Sequence, residues 1–465
     1  MKRSQTTLRQ RRKHQTLTRC SAPTRRLNLD LVDYAYSAFH SARQKFQSTK
    51  ALRAALSIRM ANIAAKCNSS ARGKCQLLVD VSTLASADAK TGIQRVSKAI
   101  VREWLMNPPK GFDVRPICAS RWHPFRYCDP ADFLETVRPR QKCCLANVNA
   151  GPDDIFLSLD LTAHILPHHH LQLEQWKIAG AKIFFVVYDL LPTLKPEWFT
   201  DKGVSAQKRW LRTLAIYADG AACISRTVAN DLDTWLTDTL GHFPPGFKTC
   251  TFPLGSDILG RAPAIIRGID FAAQGTGNTR LRTVLMVGTV EPRKGYALAL
   301  SAFEHLWAES ANISLAIIGK AGWQVESLVG RLRSHPEMGR KLIWIENGDD
   351  EVLCALYETC IGLLAASEGE GYGLPIVEAA HFGLPVLARD LPVFREIAGD
   401  SATYFDETQP ENLAHIISCW VDSIDHGTVV RPDGTMLFSW EESARELWAT
   451  ISADNLDIYG GVKLK

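Results

Sequence analysis

From residue 76 onward the chain alternates short apolar, β-branched runs with longer stretches whose apolar positions recur every three or four residues. The short runs predict strands over Leu77–Val81, Val114–Cys118, Ile155–Leu159, Ile183–Tyr188, Ala221–Ile224 and Thr251–Leu254. A second set covers Thr283–Val287, Ser314–Ile318, Leu342–Ile345, Gly362–Ala365 and Pro385–Ala388. Strand and helix patterns in alternation imply βαβ units, because parallel strands need a crossover and the crossover helix covers a face of the sheet. Between the two sets, residues 261–280 carry Ala-Pro-Ala and Gln-Gly-Thr-Gly-Asn, break both periodicities and read as a linker. The fold class is therefore α/β, with two Rossmann-like doubly wound parallel-sheet domains at 76–260 and 281–438. A last amphipathic pattern, opened by Trp440, predicts a terminal helix within 439–465. Ligands of such sheets bind outside the carboxyl ends of the strands, here in the cleft between domains.

The first 75 residues break the alternation and change the charge picture. They hold 17 Lys and Arg against Asp30 and Asp33, a charge of +15, whereas the rest of the chain carries −10. Residues 1–28 are polar and basic and predict a disordered leader. Within 29–75, positions such as Leu52, Leu56, Arg59 and Ile63 keep helical spacing and predict a basic amphipathic segment. That segment either packs on the body or touches an anionic membrane surface, where each nearby Lys or Arg adds ~1 kcal/mol. It lacks a nucleic-acid-binding motif, so no nucleic-acid partner is expected.

No apolar stretch approaches the ~18 residues of a membrane span, and no apolar segment of a secretory signal follows the basic start. A cytoplasmic location is expected, with the leader allowing peripheral contact with the cytoplasmic membrane face. The 12 cysteines contain no CxxC pair, and several, such as Cys223 in Ala-Ala-Cys-Ile, sit in apolar runs. They read as small buried hydrophobes of a reducing compartment. With 46% hydrophobic and 22% charged residues, collagen-like, disordered and disulfide-scaffold classes are excluded.

Two segments carry candidate chemistry. The first, Ser367-Glu-Gly-Glu-Gly-Tyr-Gly-Leu-Pro-Ile-Val-Glu378, follows a predicted strand and opens a helix, with Pro375 suited to its first turn. Gly371 and Gly373 let backbone approach a ligand, and a helix N-terminus favours phosphate. Glu370 and Glu378 flank it as acceptors for sugar and ribose hydroxyls. The plain alternative is a glycine-rich turn with a capping Glu, which the ordered combination disfavours. The second segment, Val287-Gly-Thr-Val-Glu-Pro-Arg-Lys-Gly295, ends a strand at Gly288 and presents Arg293 and Lys294, two cations able to neutralise a diphosphate. Alone they would read as solvated surface charge. Asp231 and Asp233 fall in a helical pattern, and Pro167 separates His164 from His168, His169 and His170, so no metal site is expected.

In these two segments the chain resembles the retaining glycosyltransferases of family 4 (glycosyl transferases group 1), which have the two-Rossmann GT-B architecture. The likeness runs in particular to bacterial polysaccharide and lipopolysaccharide mannosyl- or related hexosyltransferases. It rests on residues 288–295 and 370–378, with looser support from Thr91-Gly-Ile-Gln-Arg95, Val187–Pro192, Ile224-Ser225 and Pro253–Asp257. The resemblance implies that Arg293 and Lys294 bind the donor's diphosphate. Backbone at Gly371, Tyr372, Gly373 and Leu374 would hold donor sugar and phosphates, with Gly288, Thr91 and Gly92 close by. Glu378 would bind the ribose, and Glu370 a hydroxyl of the transferred sugar. Asp189 joins Glu370, Arg293 and Lys294 as an implied catalytic group, although Tyr188 stands where many relatives carry His; as a residue, Asp189 is equally a helix or loop cap. The terminal helix would cross back onto the first domain.

The implied function is transfer of a hexose-type sugar from a nucleotide diphosphate-sugar to a hydroxyl of a glycan or lipid-linked acceptor in cell-surface polysaccharide biosynthesis. Neither metal nor other cofactor is implied. A nucleotide-sugar epimerase or hydrolase of the same fold, or a non-catalytic nucleotide-sugar binding module, remain alternatives.

Overall fold

The computed structural model describes residues 74–86, 91–134, 143–241, 246–257, 282–432, 434 and 437–452. The basic leader, the amphipathic segment and the linker 261–280 thus lie outside the described residues, apart from Lys74 and Cys75 at the segment's end.

Two sheets organise the rest. The first contains β1 (Cys75–Asp80), β2 (Phe112–Cys118), β3 (Arg126–Cys128), β4 (Cys143–Asn147), β5 (Ile155–Ser158), β6 (Lys182–Val187), β7 (Gly220–Cys223) and β8 (Lys248–Thr251), in the order β4-β3-β2-β1-β5-β6-β7-β8. It is parallel except at one edge, where β3 pairs antiparallel with both β2 and β4. The two antiparallel strands are not expected from the sequence; Arg-Tyr-Cys is too short and too polar to stand out as a strand run. β8 begins and ends three residues earlier than predicted, because Pro253 has no N–H to donate to a ladder.

The second sheet contains β9 (Arg282–Val287), β10 (Ile313–Ile318), β11 (Leu342–Ile345), β12 (Gly362–Ala365), β13 (Val386–Arg389) and β14 (Thr403–Phe405), all parallel, in the order β11-β10-β9-β12-β13-β14. Alternation along each strand builds two separate cores. Val284, Met286, Leu315, Ile317, Leu364 and Leu387 face one side. Leu285, Ala316, Ile318, Leu363, Val386 and Ala388 face the other. Both faces are covered, which is why these strands read as unbroken apolar runs.

Helices cover the sheets. Those that position the candidate site are α1 (Gly92–Met106), α2 (Arg226–Leu240), α3 (Tyr296–Ala308), α4 (Asp350–Thr359), α5 (Leu374–His381), α6 (Pro392–Ala398) and α7 (Trp440–Ser452). α1 is a helix for legible reasons: Thr91 and Gln94 form a capping box, and Val96, Ile100 and Trp104 recur at i+4 to bury one face. α7 lies on that same first half. The Trp104 indole donates to the Ala444 carbonyl (3.2 Å), Ser443 Oγ to that of Pro253 (2.7 Å), and Trp440 joins the first sheet's core. Cys118, Cys128, Cys223, Cys354 and Cys360 are buried thiols without disulfides. Among the described residues no helix is long and apolar enough to cross a membrane.

Candidate active site

The second sheet changes direction at its middle. The chain runs outward from β9 to β10 and β11, then returns to the other side of β9 as β12. At such a switch point the loops leaving the two central strands part, and a crevice opens between them. Both candidate segments occur there: one leaves β9, the other leaves β12. Pro292–Lys294 form a 3₁₀ turn, and Gly295, at φ 70°, turns the chain into α3. A Cβ on Gly295 would lie 2.2 Å from the Ala366 carbonyl oxygen, so only glycine lets the loops meet. They do meet: the Glu368 amide donates to the Arg293 carbonyl at 2.7 Å.

Glu370 is the centre of the cluster. Its carboxylate accepts hydrogen bonds from Arg293 Nη1 (2.7 Å), from Ser367 Oγ (2.7 Å) and from Lys294 Nζ. Arg293 is steered further by Glu291 Oε1 at 2.8 Å and by the Gly369 carbonyl at 2.7 Å. Burial pushes the Glu370 carboxyl up, but the two cations outweigh it and hold it down at about 2. Burial keeps Glu291 above its ordinary value in spite of Arg293. The buried Nε of Arg293 has no partner among the described residues, an unmet donor beside a crevice. A pocket opens beside Glu370, lined by Val287, Lys294, Tyr296, Ser367, Glu370 and Gly373 among others.

The glycine loop that follows is pinned to the first half. Ser225 Oγ donates to the Gly371 carbonyl at 2.8 Å, and a Cβ on Gly371 would sit 1.9 Å from the Tyr188 carbonyl oxygen. Gly373, at φ 118°, starts α5 with Pro375 in its first turn, as the sequence predicts. Glu378 lies one turn into that helix, and it is buried. Its Oε1 pairs with Arg95 Nη1 of α1, and its Oε2 accepts from the Tyr357 hydroxyl at 2.8 Å. Gly92 is close as well, since a Cβ there would lie 3.3 Å from Leu374 Cδ1. Thr91 spends its hydroxyl oxygen on the Gln94 amide at 3.4 Å as the cap of α1.

Two side chains depart from expectation. Tyr372 does not face the crevice: its ring is buried in the first sheet's core, and its hydroxyl accepts from the Leu254 amide at 3.1 Å. Any part it has in holding a donor falls to its backbone. Tyr188 donates its hydroxyl to the Leu159 carbonyl at 2.8 Å, away from the crevice, so it cannot replace an imidazole there. The half-buried Asp189 accepts from the Leu191 amide at 3.0 Å and thereby turns the chain after β6. Burial raises its carboxyl above the ordinary range while the charge of Arg293 lowers it, so Asp189 is both a loop cap and a member of the charged cluster.

Residues 270–425 match the model of the family described as glycosyl transferases group 1. That stretch, most of the second half of the molecule, is similar to the group 1 glycosyltransferases. It is 39% identical over 376 residues to the serotype-specific mannosyltransferase WbdA of Escherichia coli, an alignment covering 80% of this chain and 46% of that protein. It is 29% identical over 219 residues to the O-antigen chain mannosyltransferase B of Escherichia coli, covering 45% of this chain and 54% of that protein. The chain thus spans about half the length of the curated relatives it matches. Its fold is that of Anabaena HepE, solved in complex with UDP, with a TM-score of 0.56 at 15% identity over 81% of this chain and 99% of that one. The architecture is GT-B.

The structure gathers Gly288, Arg293, Lys294 and Glu370 with Gly373 close by, sets Gly371 and Asp189 on the seam between halves, and buries Glu378 beside Arg95. Sequence reasoning passed over Glu291, Ser367, Arg95 and Tyr357. Glu291 and Ser367 stand inside the two candidate segments, where a search for carboxylate and hydroxyl partners of Arg293 and Glu370 would have found them. Tyr357 carries no local signal. Among the described residues no group of three or more His, Cys, Asp or Glu could hold a metal ion.

Proposed function

We propose that this chain transfers a mannose-type hexose, with retention of configuration, from a nucleotide diphosphate-sugar to a hydroxyl of a glycan or lipid-linked acceptor in cell-surface polysaccharide synthesis. One observation carries the reading: Arg293 and Lys294 converge on Glu370 at the switch point of the second sheet. The mannosyltransferases to which the chain is similar supply the sugar class. In this reading residues 281–438 bind the donor, 76–260 bind the acceptor, and closure about 261–280 excludes the water that would hydrolyse the donor.

In the transfer, the bond from the sugar's anomeric carbon to the diphosphate oxygen breaks as a bond to the acceptor oxygen forms on the same face. The acceptor's proton passes to the departing diphosphate. Negative charge grows on that leaving group, and Arg293 and Lys294 stand ready for it without rearrangement. Each preorganised donor of this kind is worth ~3 kcal/mol. Two fixed cations supply what a divalent ion otherwise would, so turnover is expected to survive a chelator. Glu370, held ionised by the same cations, accepts a hydroxyl of the sugar, and Glu378 accepts the ribose. The +15 charge of the first 75 residues supports peripheral contact with an anionic cytoplasmic membrane face.

The test is incubation of the full chain with GDP-, UDP- and dTDP-hexoses and a mannose-terminated lipid-linked acceptor, read by mass and by the anomeric signal of the product. A product one hexose heavier, with donor configuration kept, is expected. Free hexose or an epimerised donor would point to the hydrolase or epimerase instead, and binding without turnover to a recognition module.

A further inference from the structure

Glu378, the carboxylate proposed to receive the ribose, is held from both halves of the molecule. From the second half, the Tyr357 hydroxyl of α4 donates to Oε2 at 2.8 Å. From the first half, Arg95 of α1 reaches across the cleft: Nη1 pairs with Glu378 Oε1, and Nη2 with Asp350 Oδ1 at 2.8 Å. Glu378 is 4% exposed at its side chain and Asp350 49%, so the guanidinium joins a deeply buried anion to a superficial one. Burial raises the Glu378 carboxyl, Arg95 being the largest influence in the opposite direction. Without Arg95 this side chain would lean toward the neutral acid, a poorer acceptor for hydroxyls.

The carboxylate also keeps acceptor capacity in reserve. A carboxylate offers about four lone-pair sites, two on each oxygen. Arg95 and Tyr357 use one on each, which leaves one on each oxygen for two neighbouring hydroxyls. Arg95 lies one turn into α1, whose first residue, Gly92, abuts the glycine loop through Leu374. The guanidinium therefore meets Glu378 where the first half abuts the second.

We infer that Arg95 is a positioning residue for the donor's vicinal diol: reaching from the first half, it orients the Glu378 carboxylate, and so couples contact between the two halves to recognition of the ribose. The inference rests on the reading of Glu378 as the ribose acceptor. Coupling of this kind is reciprocal, so whatever the diol gains from that contact the contact gains from the diol.

The test compares GDP and UDP with their 2′,3′-dideoxy forms by calorimetry, on the full chain and on Arg95→Met, Arg95→Lys and Asp350→Asn. The wild type is expected to prefer the diol. Arg95→Met should weaken binding of the ribose form about 10- to 100-fold, the range for hydrogen bonds to a charged group, and leave the dideoxy form unchanged. Arg95→Lys should recover part of the preference, and Asp350→Asn should keep it, since that change leaves the Glu378 contact in place. A general loss of packing would weaken both ligands alike and keep their ratio. A ratio unchanged in Arg95→Met therefore overturns the role of Arg95 alone, whereas a wild type that binds neither nucleotide overturns the donor-site reading and this inference with it. If Arg95→Met does not fold, a ratio in Arg95→Lys equal to the wild type's overturns the inference.

Discussion

Each sheet has a switch point, and the two hold their buried carboxylates in opposite ways. In the second sheet, between β9 and β12, Glu370 and Glu291 lie against Arg293 and Lys294. In the first, between β1 and β5, Asp80 and Asp160 have no cation among the partners seen. Asp80 accepts from the Ser82 amide (3.0 Å), from Ser82 Oγ and from Thr162 Oγ1 (2.9 Å), and Asp160 from the Leu84 amide (2.7 Å). The consequence is opposite titration. Glu370 is held at about 2, below its ordinary 4.5. Burial drives Asp80 from 3.8 up to about 7. The same burial yields a permanent anion where two cations are supplied, and a near-neutral acid where only hydroxyls and amides are. The second switch point thus holds its buried carboxylates as ion pairs, and the first as hydrogen-bonded acids.

Removing a cation is the strongest way to break this contrast. Arg293→Ala should lower kcat by about 10²- to 10³-fold, the usual loss for one preorganised transition-state donor. It should also lower the melting temperature, because Glu291 and Glu370 lose their shared partner. Steady-state rates and a thermal melt read both effects.

Crowding the seam comes next. Gly371→Ala pushes a methyl against the Tyr188 carbonyl, 1.9 Å away, so the glycine loop must back off from the first half. A cost of about 1–3 kcal/mol is expected in chemical denaturation, with a rise in the donor KM. A variant as stable and active as the wild type would show that the halves do not meet there.

The pH dependence of stability sharpens the comparison. A depressed carboxyl contributes stability that is present above its ordinary value and is lost as pH falls through its folded value, so Glu370 should contribute a loss between pH 4.5 and about 2. A raised carboxyl does the reverse: the contribution of Asp80 is full below 3.8 and fades as pH rises through about 7. Melting temperatures of Glu370→Gln should therefore fall less steeply than the wild type's on the acid side. Those of Asp80→Asn should fall less from pH 4 to 8. Equal slopes in either pair would erase the distinction between the two switch points.

The smallest effect concerns the leader. Deleting residues 1–73 should reduce sedimentation with phosphatidylserine-containing vesicles and leave transfer to a soluble acceptor unchanged; equal pelleting of both forms would remove the membrane role.

Much of this was legible in the sequence where one residue type suffices. Strands buried on both faces read as apolar runs, so β9, β10 and β12 were found nearly to the residue. Pro375 and Gly373 announced the start of α5, and Arg293 and Lys294 announced the crevice. What stayed hidden depends on long-range partners. β3 and β4 are strands because their neighbours pair with them, not because of their own composition. Tyr372 looked like part of a ligand loop, and its burial in the first sheet's core is decided by Leu254, 118 residues away. Arg95 stood in a segment whose likeness was noted, yet its partner Glu378 lies 283 residues further on. No local periodicity encodes such a pair.

In the proposed function Lys294 and Arg293 grip a donor's diphosphate beside Glu370. The most direct measurement is calorimetric binding of a nucleoside diphosphate against the matching nucleoside, in the wild type and in Lys294→Met, where Arg293 still pairs Glu370 and supports the fold. The wild type is expected to prefer the diphosphate strongly, and Lys294→Met to lose most of that preference while its affinity for the nucleoside is unaltered. Equal preference for the diphosphate in both proteins would contradict the proposal.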